Sequence, residues 1–93
     1  MMKIPKEKLN YLIFLLREEV YKKYKNKPIN PELEGMCHKT AYDLEMATYG
    51  IITYSAFESF LGSILRNDGI KPDATNEEIY ELFKLLGVEV VDE

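Results

Sequence analysis

Cys37 and His38 are neighbours, a thiol and an imidazole of the kind that act as nucleophile and base in cysteine enzymes. On a helix, consecutive side chains point about 100° apart, so the two do not face each other and the pair fails on geometry. A second grouping passes that test. Glu34, His38, Tyr42 and Glu45 fall on one side of a helix, with Tyr49 a further turn along, and Glu34 and His38 have the donor types that hold metals. One histidine cannot supply the paired Glu-x-x-His motifs of a di-iron bundle, so no metal site is expected. His38, Tyr42 and Tyr49 read instead as anchors for a partner, because tyrosine joins apolar area to a polar tip.

Asn67-Asp68-Gly69, followed by Asp73 and Glu77, has the outline of a calcium loop. With Gly69 as the sixth loop residue, the first, third and twelfth positions are Ile64, Arg66 and Thr75, so the required oxygen ligands are missing and the segment reads as a capped turn. No phosphate-binding loop, dinucleotide fingerprint or zinc-finger spacing occurs. One His, one Cys and scattered carboxylates offer no acid, base and electrophile set. The expectation is a protein without enzymatic activity, cofactor or small-molecule substrate.

Four helices must position these residues. Over residues 6–26, Leu9, Leu12, Ile13, Leu16, Val20 and Tyr24 form one stripe that ends before Pro28. Tyr11, Phe14 and Leu15 lie on the opposite side, so the first half of this helix is apolar all round; it is either central or covered by a partner. Asn30-Pro31-Glu32 opens a second helix reaching about Tyr49, with Gly35 able to detach its first turn. Leu33, Cys37, Ala41, Leu44 and Thr48 face inward.

Residues 50–54 read as a break rather than a strand. Ser55-Ala56-Phe57-Glu58 fits a capping box for a third helix, with Phe57, Phe60, Leu61, Ile64 and Leu65 inward and a small-residue reverse face of Ala56, Ser59, Gly62 and Ser63 suited to a neighbouring helix. Thr75-Asn76-Glu77-Glu78 caps a fourth helix, in which Ile79, Leu82, Phe83 and Leu86 face inward up to Gly87. Val88–Val91 alternates like a strand, to be paired with Lys3-Ile4 or Ile51-Ile52, added to another chain, or left as a tail. The fold class is all-α: a single small four-helix bundle-like domain over residues 1–93, with a minor β element near 50–54 or 88–91.

Charge is uneven. Residues 1–27 carry eight Lys or Arg against three Glu, and residues 28–93 carry four against thirteen acidic residues, within a net −4. The simplest account is a basic first helix lying among acidic neighbours. The alternative is nucleic acid, with Lys22, Lys23, Lys25 and Lys27 on phosphates and Tyr21 and Tyr24 stacking on bases. A helix-turn-helix over 40–65 is disfavoured because its recognition helix has no cation before Arg66. Mimicry of nucleic acid by the acidic portion is disfavoured too, since its carboxylates are dispersed.

A lone cysteine argues for the cytoplasm. The apolar run Tyr11–Leu16 is too short for a membrane span and has neither the flanks nor the cleavage site of a signal peptide. The leading expectation is a protein-binding adaptor, regulator or inhibitor that takes another protein or its own copy through Tyr11, Phe14 and Leu15, with His38, Tyr42 and Tyr49 as a second set.

Overall fold

A computed structural model describes residues 2–66 and 74–92. Strand β1 (Met2–Pro5) is followed by α1 (Lys6–Tyr24), α2 (Pro31–Ala47), α3 (Tyr54–Leu65), α4 (Asn76–Leu85) and β2 (Val88–Val91). The result is a small helical domain with a minor β element.

The helix boundaries follow local chemistry. Asn30 accepts a hydrogen bond from the Glu32 N–H with Pro31 in the first turn, and Thr75 accepts one from Glu78; each satisfies an N–H that the helix cannot pair internally. Gly35 does not interrupt α2, which is continuous from Pro31 because the cap at Asn30 already holds that turn. The start of α3 also differs from expectation. Its cap is Thr53, whose hydroxyl accepts from the Ala56 N–H, so Ser55 lies inside the helix. Gly87 adopts φ +84°, the left-handed geometry that ends α4 and that glycine enters without strain. The turn Asn67–Gly69 lies outside the described residues.

Among the described residues, sixteen buried apolar side chains from all six elements form one core, from Ile4 in β1 to Val88 in β2. Val88–Val91 pairs in parallel with Met2–Pro5, Lys3 opposite Glu89 and Ile4 opposite Val90. Alternation turns Ile4 and Val88 inward and leaves Lys3 and Glu89 in solvent. Lys3 and Pro5 make the outer edge of β1 a poor template for a further strand, one through its charge and the other through its missing N–H.

Two expected faces are rotated. In α4, Ile79 and Phe83 are buried but Leu82 and Leu86 are exposed, because the helix turns Tyr80 toward α1, where its hydroxyl donates to Asn10. Among the described residues no helix packs on the small-residue face of α3: Ala56, Ser59 and Ser63 are exposed, and the space over Gly62 is filled by the guanidinium of Arg66. Tyr24, assigned to the inner stripe of α1, is exposed. No helix among the described residues is long and apolar enough to cross a membrane.

Candidate functional site

The outer face of α1 presents Tyr11, Phe14 and Tyr21, with Phe14 64% exposed. Leu15 does not join them: it is 2% exposed and belongs to the core. The reason lies in its neighbours on the helix. Lys8 pairs with Asp43 of α2 at 3.2 Å, and Glu19 lies against Cys37 of α2, so the flank between them, where Leu15 projects, is covered by α2. A shallow groove of about 780 Å³ beside it is lined by Tyr11, Met36, Thr40 and charged residues of both helices.

His38 and Tyr42 share an open groove of about 310 Å³ with Lys39 and Tyr54. The imidazole stands edge-on to the Tyr54 ring and lies 3.4 Å from Glu58 and 3.9 Å from Glu34. Glu45 is absent from this grouping because its carboxylate accepts the Tyr54 N–H at 2.7 Å. Tyr49 is absent too. It follows the end of α2 at φ +55°, is 93% exposed, and borders a separate groove beside β1.

Cys37 is buried while its neighbour His38 is exposed, so the two do not form a catalytic pair. Burial pushes the thiol up to about 12, aided by the carboxylates of Glu19 and Glu58, and a thiol held protonated is a poor nucleophile. Burial also raises the pKa of Glu58, against the opposing pull of His38. Among the described residues no group of three His, Cys, Asp or Glu is placed to hold a metal.

The basic segment is largely occupied by its own contacts. Lys22 and Lys23 pair with Glu18 and Glu19 one turn earlier, and Lys25 lies over the rings of Tyr21 and Tyr24 at 5.9 and 5.1 Å. Those two ring faces already carry a cation. Lys27 extends beyond the helix.

An apolar surface lies where the sequence did not point to one. A depression of about 370 Å³ has Phe57, Phe60 and Phe83 in its walls, with Met2, Ile51, Ile52, Ala56 and Leu86 around them. Phe60 meets Phe83 edge-on at 5.0 Å, and Phe57 lies 5.9 Å from Phe83. Ile51 is 71% exposed and Leu86 59%; Leu82 and Leu85, on the same side of α4 as Leu86, extend the apolar area. The α2–α3 turn presents Ile51: Thr48, fully buried, donates to the Glu45 carbonyl and accepts from the Ile52 N–H. The available signal was the excess of apolar residues in Phe83–Leu86 beyond what one inward stripe needs.

No family model, curated protein or solved structure matches the chain.

Proposed function

We propose that the protein is a non-enzymatic protein-binding domain that holds a partner at its apolar end, between the α2–α3 turn and the C-terminal turn of α4. The reading is carried by one observation: the exposed side chains of Ile51 and Leu86 flank a depression lined by the half-buried Phe60 over the buried rings of Phe57 and Phe83. Large apolar side chains around a preformed hollow have the anatomy of an interface hot spot, where a few desolvated anchors supply most of the binding energy. Covering one such aliphatic side chain is worth roughly 1.5–3 kcal/mol.

Leu86→Asp tests the reading. The side chain is exposed, so the variant keeps its helicity and unfolding midpoint close to the parent. Affinity capture with the parent as bait then recovers a stoichiometric protein that Leu86→Asp loses and that the distant Glu77→Gln retains. Equal recovery by all three baits would contradict the assignment of this surface.

A further inference from the structure

The outer face of α1 is a second exposed surface, and none of its residues lines the apolar depression. Tyr11, Phe14 and Tyr21 are exposed there along with Glu7 and Glu18. With Lys25 just past the helix end, the positions 7, 11, 14, 18, 21 and 25 alternate in steps of four and three. That is the spacing of a two-helix coiled-coil seam, with aromatic residues at three of the six positions and charged residues at the other three.

We propose that this seam pairs with the same seam of a second copy, the two helices running antiparallel. The register sets Tyr11 against Tyr21 of the second copy, Phe14 against Glu18, and Glu7 against Lys25. By twofold symmetry each contact occurs twice. Charge selects this arrangement. A parallel pair would place Glu7 on Glu7 and Glu18 on Glu18, and an antiparallel pair slid one heptad toward the N-termini would oppose Glu7 to Glu18 at both ends. The chosen register covers all three aromatic residues and ends in opposite charges.

The flanking cations have partners within their own chain: Lys8 with Asp43, Lys22 with Glu18, and Arg17 with the Ala74 carbonyl. Lys8 and Lys22 are therefore already paired with carboxylates, and Arg17 is held to a carbonyl, before two copies meet. Glu18 covers the opposing Phe14 ring with its aliphatic stem while its carboxylate stays beside Lys22. Lys25 already lies over Tyr21, close to where Glu7 of the second copy arrives.

Sedimentation velocity of the purified full chain over a range of concentrations tests the pairing. The parent sediments at twice the 10.9 kDa chain mass, and Phe14→Glu sediments as a monomer with unchanged circular dichroism. If Phe14→Glu fails to fold, Tyr21→Lys provides the same test. Register is tested by charge reversal: Glu7→Lys and Lys25→Glu each loosen the dimer by roughly fivefold, and the two combined in one chain restore it. A monomer at every concentration, a dimer indifferent to Phe14→Glu, or reversals that do not rescue each other would overturn the proposal. A dimer broken by Leu86→Asp instead would overturn it as well, by moving self-association to the apolar end. A monomeric parent leaves the assignment of the apolar end intact, since that rests on its own capture experiment.

Discussion

Glu45, near the end of α2, accepts a hydrogen bond at 2.7 Å from the backbone N–H of Tyr54, the first residue of α3. A carboxylate at a helix N-terminus satisfies an otherwise unpaired donor and meets the positive end of the helix dipole. This link closes the turn that carries Ile51 into solvent. Glu45→Ala is expected to lower the unfolding free energy by about 1 kcal/mol, and Glu45→Gln by less because its amide oxygen still accepts. Urea unfolding of the three proteins checks the order; equal midpoints would show that the link contributes nothing.

The caps at Asn30 and Thr75 and the glycine stop at Gly87 were legible in the sequence, because each depends on residues within one turn of its own helix. Thr53 was not, since Ser55 offers the same chemistry two residues later and only the path of the turn chooses between them. Pairing of Val88–Val91 with Met2–Pro5 closes nearly the whole chain, and alternation alone could not select it over Ile51-Ile52. Leu15 and Leu86 exchanged their expected roles for a common reason. Periodicity defines a stripe but not its width or rotation, which are set by the neighbours: α2 over Leu15, and the Tyr80–Asn10 contact that rotates α4. The apolar end was illegible because it joins residues of β1, the α2–α3 turn, α3 and α4.

Gly35 lies inside α2 on its exposed side, and a methyl group added there meets nothing within 4 Å. Gly35→Ala removes unfolded-state entropy without a clash, so it is expected to stabilise the protein by about 0.5–1 kcal/mol. A rise in the thermal midpoint measures the effect; a fall would show that α2 needs glycine there.

Cys37 is expected to resist thiol reagents at pH 8 while the protein is folded and to react at the rate of unfolding. The thiol's folded pKa of about 12 exceeds its ordinary 9.0. The stabilisation linked to it is therefore complete below pH 9 and declines as pH rises from 9 toward 12. Urea midpoints that stay level over that range, measured against Cys37→Ala to remove other titrations, would contradict the burial argument.

Glu58 follows the same sign. Its carboxyl is raised above the ordinary 4.5, so the linked stability is full below that pH and is lost as pH climbs through the raised value. Glu58→Gln, which removes the partly buried charge, is expected to be more stable than the parent at pH 8, where the parent's carboxyl is ionised. The advantage shrinks toward acid pH as the parent's carboxyl takes up its proton. Chemical unfolding at pH 8 and pH 4 checks both the sign and the trend; a parent more stable at pH 8 would reverse the assignment.

Binding of another protein at the end bearing Ile51 and Leu86 is tested by photo-crosslinking in the native cell extract. A photoreactive residue replaces Leu85, which is 83% exposed beside the depression, and a control replaces Glu77 on the first turn of α4. Position 85 is expected to give one defined adduct, absent from position 77 and abolished by adding Leu86→Asp. Adducts of equal yield and identity from both positions, or an adduct that persists with Leu86→Asp, would contradict it.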